Sequence, residues 1–155
     1  MKYTLKVGAF VFDTKQREKL LLIKEQYRKE DGMKWNIVKG TCDKQGETIE
    51  ECVRREVREE AGLDATEVFL KGVFHYGSAD DPKVLFIFSV FVSSSLVSIA
   101  SQKEQARLNE NISDFGWFTK KEFFAIPRES FMAPYIYTAD PFGGNENAIV
   151  EISRA

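Results

Sequence analysis

Histidine occurs once, at His75, and cysteine twice, at Cys42 and Cys52. A single imidazole leaves a Ser/His or Cys/His nucleophilic set without support, and His75 reads as a strand residue with no chemistry. Two cysteines ten residues apart, with no second pair and no neighbouring histidine, do not complete a zinc-type ligand set. Two thiols in a reducing cytoplasm fit them better than the alternative, a local disulfide. Long apolar runs are also missing. Val84 to Val92 is nine residues with Ser89 inside it, against the ~18–20 that a bilayer span requires, so it is expected as a buried strand and not a membrane anchor. Met1 to Phe12 lacks the unbroken apolar stretch of a signal peptide and is expected as a strand of the mature protein. Neither sign of charge dominates: Lys plus Arg is 22, Asp plus Glu is 24, and the net charge is −2. That balance speaks against a nucleic-acid polymer held by a basic surface. No internal repeat or low-complexity segment is visible.

What is present suits one globular domain over residues 1–155, within the usual ~100–200 residues per domain. Hydrophobic residues make up 43%, with 13 Phe, 5 Tyr and 2 Trp to fill a core, and 30% charged residues can cover it, which excludes general disorder. Tyr3, Leu5, Val7, Ala9 and Val11 alternate as a strand, 13–17 is a polar turn, and Leu20 to Ile23 begins a second strand, expected to pair with the first as a hairpin. A charged loop then leads to the short apolar run Trp35 to Val38. Strands are expected at Glu67–Tyr76, Lys83–Val92 and Ile112–Phe118, with a polar connection from Ser93 to Glu110 between the last two. Thr119 and Glu122 form a capping box ahead of a short helix through Phe124. The tail from Pro127 is aromatic-rich and irregular.

The clearest punctuation surrounds one helix. Thr48 and Glu51 make the S/T-x-x-E capping box and Gly62 supplies a left-handed terminus, which predicts a helix over Ile49–Ala61. Ile49, Val53 and Val57 give it an apolar stripe. Glu56, Glu59 and Glu60 stand at i, i+3 and i+4, on one face. From Glu47 to Glu60 there are six Glu against three Arg, so the whole acidic surplus of the chain is this segment. Like charges on one turn repel, and the C-terminal half of a helix disfavours negative charge. Arg55 offsets part of that, with Glu51 and Glu59 each four residues away. A hard divalent cation would offset more, since carboxylates are the oxygen ligands that Mg²⁺ and Mn²⁺ prefer. By itself the string would equally suit a solvated Glu/Arg face.

Glu47, seven residues, then Arg55-Glu56-Val57-Arg58-Glu59-Glu60-Ala61-Gly62-Leu63 resembles the Nudix box, Gx5Ex7REUxEExGU, at every fixed position from the first Glu onward. Trp35 to Gly40 looks like the strand and glycine turn before the box, and Trp117 to Phe123 is similar to the Trp-containing strand and helix late in such domains. The resemblance implies an α/β Nudix fold, with a mixed β-sheet sandwiched between α-helices, and hydrolysis of a nucleoside diphosphate linked to another group. Carried over by position, Glu56, Glu59 and Glu60 would bind Mg²⁺ or Mn²⁺, Arg55 would orient a glutamate, and Glu47 would support the loop–helix junction. The box glycine falls on Thr41, with Gly40 one residue earlier. Without a gap, Gly40 contributes its carbonyl to the metal; with a one-residue insertion in the loop to Gly46, it does not.

Several further residues are candidates around that core. Lys39 could contact a substrate phosphate, Lys24, Arg28 and Lys29 could line the approach, and Glu110 could add a ligand or base. Trp35, Tyr27, Tyr76, Tyr135 and Phe142 could stack a nucleobase, although aromatics in such a chain mostly fill the core. Ser78 stands where an ADP-ribose-type member would usually carry proline, which weighs against that substrate; nucleoside triphosphates and dinucleoside polyphosphates stay open. The expected partner is a small nucleotide or polyphosphate, with no membrane, and a homodimer is left open. The alternative reading is a catalytically silent Nudix-fold sensor of a nucleotide or sugar-nucleotide.

Overall fold

Among the residues that the computed structural model describes (2–15, 19–26, 29–107, 111–143 and 152–153), eight strands form one mixed sheet. They are β1 (Thr4–Asp13), β2 (Leu20–Glu25), β3 (Lys34–Asn36), β4 (Val38–Thr41), β5 (Ala65–Gly77), β6 (Pro82–Val92), β7 (Ile112–Phe118) and β8 (Ile152–Ser153). The helices are α1 (Ile49–Ala61), α2 (Gln102–Arg107), α3 (Lys120–Ala125) and α4 (Tyr135–Thr138).

β1 is buried on both faces, as a continuous apolar strand in the middle of a covered sheet should be. Val7, Ala9 and Val11 point to one side, where Val53, Val57 and Ala61 of α1 pack on them. Phe10 and Phe12 point to the other, against Phe123 of α3 and Tyr135 and Ile136 of α4. Helices thus cover both faces, the sandwich expected from the resemblance. β6 runs parallel to β1 from Thr4↔Lys83 to Asp13↔Val92.

The other edge of β1 is shared. Its first half pairs antiparallel with β4, from Lys6↔Thr41 to Ala9↔Val38, while β2 meets it only near the turn, at Phe12↔Leu20. The expected hairpin therefore exists but is short. The run Trp35 to Val38 divides at Ile37, which is fully buried in the aromatic layer and separates β3, paired with β2, from β4, paired with β1.

α1 has the expected bounds and caps: Thr48 Oγ1 accepts from Glu51 N at 3.1 Å, Glu51 Oε2 accepts from Thr48 N at 3.0 Å, and Gly62 sits at φ 67°. Cys42 and Cys52 are joined in a disulfide, which corrects the expectation of two thiols. Helical periodicity placed Cys52, but nothing local showed that the loop leaving β4 folds back on α1. That return brings the two Cα atoms to 5.7 Å, within bridging range. Bonded cysteines no longer speak for a reducing compartment. Among the described residues no helix is long and apolar enough to cross a membrane.

Candidate active site

The inner face of α1 carries more than its apolar stripe. Cys52, Val53, Val57 and Ala61 are fully buried, and beside them Glu56 and Glu60 are buried too, at 6% and 5% exposure. A buried carboxylate is unstable unless it is paired or hydrogen-bonded. Glu56 Oε1 accepts from Arg55 Nη1 at 2.8 Å, and Glu60 Oε2 accepts from the backbone N–H of Lys39 at 3.3 Å. Glu59 stands at the rim, 3.3 Å from the same Arg55 nitrogen. Of the three glutamates on one predicted face, two point under the edge of β4 and one lies beside Arg55.

Arg55 is the hub. Its Nε and Nη2 grip Glu47 at 2.8 and 3.0 Å, the two-pronged arrangement that a planar guanidinium makes with a carboxylate. Nη2 also donates to the carbonyl of Thr41 at 3.2 Å. The hydrogen bonds from Glu47, followed by the nearby Glu56 and Glu59, push the guanidinium still further above its ordinary value. One cation therefore joins the loop before the helix to two carboxylates on it.

Gly40 is the loop residue that touches the cluster. A Cβ there would lie 2.0 to 2.4 Å from the carboxylate of Glu56, so no other residue fits without displacing that side chain. Thr41 makes its contribution through its carbonyl. Gly40 and Thr41 thus stand at the two places where an ungapped reading of the loop puts them.

Lys39 is partly buried on β4, and its ammonium is held below the ordinary lysine value by burial first, with Glu25 acting in the opposite sense. Glu25, at 5% exposure, was not legible as a site residue: it closes an apolar strand and accepts from Asn36 Nδ2 at 2.6 Å. Lys24 lies over the Trp35 ring at 5.0 Å from its centroid, and Trp35 meets Phe118 edge-on, so both have structural partners. Phe142 packs against Phe12 and Phe123, and His75 is exposed and stacked on Tyr3. Tyr27, Arg28 and Glu110 lie outside the described residues. As the side chains stand, no group of three or more carboxylate, imidazole or thiolate side chains among the described residues is gathered tightly enough to hold an ion by itself.

The family model of the NUDIX domain matches residues 2–138. The chain belongs to the Nudix family. A relative, the NAD-capped RNA hydrolase NudC of Vibrio parahaemolyticus, is 29% identical over 110 residues, which cover 69% of this chain and 36% of the relative. The Nudix chain thus spans about a third of that protein's length. Among solved structures, a NUDIX hydrolase from Nitrosomonas europaea is similar at a TM-score of 0.68 and 25% identity, over 89% of this chain and 86% of that one. The NUDIX domain of Shewanella oneidensis NrtR, solved with ADP ribose, aligns at a TM-score of 0.68 and 16% identity, over 91% and 86% of the two chains, a likeness of fold. The mixed sheet with helices on both faces is thus the Nudix fold.

Proposed function

We propose that this Nudix chain is a divalent-metal-dependent pyrophosphohydrolase that cleaves a nucleoside diphosphate linked to another group. The observation that carries the reading is the burial of Glu56 and Glu60 side by side under β4, against a glycine that leaves no room for a side chain. Around Arg55 stand Glu47, Glu56 and Glu59, with Glu60 one turn beyond Glu56, so acidic groups outnumber the guanidinium that joins them. That donor set fits Mg²⁺ or Mn²⁺, which take carboxylate and carbonyl oxygens. Glu56, Glu59, Glu60 and the carbonyl of Gly40 would hold the ion. A bound divalent cation supplies neutralisation of phosphate oxygens and a lowered pKa for water.

The chain's own residues do the rest. Arg55 fixes the directions of Glu56 and Glu59, Glu47 anchors Arg55, and Lys39 presents a cation to a phosphate of the substrate. A carboxylate of the cluster accepts the proton of the attacking water. NAD and ADP-ribose, named with the Vibrio and Shewanella relatives, both contain a diphosphate linkage, the bond type assigned here.

Incubation with Mg²⁺ or Mn²⁺ and a panel of nucleoside triphosphates, dinucleoside polyphosphates, NAD, nucleotide sugars and ADP-ribose tests the reading. Turnover is expected with metal, abolished by a chelator and lost by at least a hundredfold in Glu59→Gln and Glu60→Gln, on the order of ~3 kcal/mol of barrier. Tight binding of a panel compound without turnover of any would instead make the protein a sensor.

A further inference from the structure

On the face of the sheet opposite α1, three lysines come together that no box residue explains. Lys6 pairs with Thr41, Lys39 lies two residues from Thr41 on the same strand, and Lys83 pairs with Thr4, two residues from Lys6. Residues two apart share a face, so all three side chains leave the sheet on one side, with Cα atoms about 8 Å apart at ordinary strand spacings. Tyr76 is the cross-strand partner of Lys83 and lies under its ammonium, 5.7 Å from ring centroid to Nζ.

Three converging ammonium groups repel each other, and their acidic company is limited. Asp81 pairs with Lys83 at 3.2 Å, and Glu25 acts on Lys39. Burial first, and then Lys83, hold the Lys6 ammonium below its ordinary value. A second observation points to a missing acceptor. The hydroxyl of Tyr135, in the aromatic layer on this same face beside Tyr76, is buried without a hydrogen-bond partner among the described residues. Buried hydroxyls are normally satisfied, and an anionic oxygen would satisfy this one. Only β4 separates this face from Glu56 and Glu60: Lys39 turns its backbone N–H to Glu60 and its side chain to the lysines.

We propose that Lys6, Lys39 and Lys83, with the Tyr135 hydroxyl, form a subsite for phosphate groups beyond the one attacked, and so select a chain of three or more phosphates over a diphosphate. This rests on the carboxylate cluster being the hydrolytic site. A diphosphate held at α1 would leave the lysines mutually repelling, whereas a longer chain crossing β4 neutralises them.

Calorimetric titration of the intact protein with inorganic tripolyphosphate, pyrophosphate and ATP, with turnover of ATP and ADP-ribose in parallel, tests it. Tripolyphosphate is expected to bind at least tenfold tighter than pyrophosphate. Lys6→Met and Lys83→Met should each weaken tripolyphosphate about tenfold, the scale of one charge-assisted hydrogen bond, and lower the ATP to ADP-ribose ratio of kcat/KM. Lys83→Arg should restore binding, and Lys120→Met, an exposed charge control on α3, should not alter it. Unchanged circular dichroism and melting temperature would show that the variants fold. Equal affinity for the two inorganic anions, or tripolyphosphate affinity untouched by Lys6→Met and Lys83→Met, would overturn the subsite even if the protein hydrolyses its substrates. Lysine-dependent binding of tripolyphosphate without any turnover would keep the subsite and reject the hydrolase.

Discussion

Arg55 gathers acceptors from three places in the chain: Glu47 and Thr41 before the helix, and Glu56 and Glu59 on it. Lysine carries the same charge but no fork, so Arg55→Lys should lose the two-pronged grip on Glu47 and destabilise the fold by about 2 kcal/mol, read from urea unfolding. Activity should fall as well, because Glu56 and Glu59 lose their common orienting partner. At Gly40 the objection to a side chain is spatial. Gly40→Ala places a methyl group inside the contact distance of the Glu56 carboxylate and should lower kcat/KM at least tenfold, about 1.4 kcal/mol. Thr41→Gly, which keeps the carbonyl that Arg55 uses, should be tolerated. These roles were legible wherever the box matches, from Glu47 through Leu63. Glu25, Lys6 and Lys83 were not, because a lone charged residue in an apolar strand has no spacing to read; only strand register puts them together.

Helix α1 was legible to the residue because its two ends carry chemistry of their own, a reciprocal cap and a left-handed glycine. Thr48→Ala removes the acceptor for Glu51 N and should cost ~1 kcal/mol, measured by chemical denaturation. α2 had no such signal. Its one buried side chain is Gln105, whose amide donates to the carbonyls of Ala100 and Ile112 and accepts from Ile112 N, so the helix docks by hydrogen bonds and shows no apolar stripe. α4 was hidden in the aromatic tail for the opposite reason: four residues are too few to show a period, and Tyr135 and Ile136 bury themselves in a layer that only the folded sheet creates. The hairpin of β1 and β2 was read from adjacency in sequence, and β4 took the rest of that edge.

For the molecule as a whole, a sheet covered on both faces sets the cluster at the free side of a short strand, β4, with an apolar layer behind it and a basic face beyond. Composition foretold the two layers, since alternating residues of β1 are apolar on both sides. It did not foretell the disulfide, which ties the loop after β4 to α1 just behind the carboxylates. Closing a loop of this length confers roughly 2–3 kcal/mol by the chain-entropy estimate, so reduction with dithiothreitol should lower the urea midpoint, and the Cys42→Ser/Cys52→Ser variant should show no response to the reductant. The central claim is that the α1 carboxylates hold a divalent cation, and Mn²⁺ titration followed by electron paramagnetic resonance tests it most directly. Saturable binding of at least one ion per chain is expected in the wild type, weakened at least tenfold in a folded Glu56→Gln/Glu60→Gln variant; indistinguishable titrations of the two proteins would contradict the assignment.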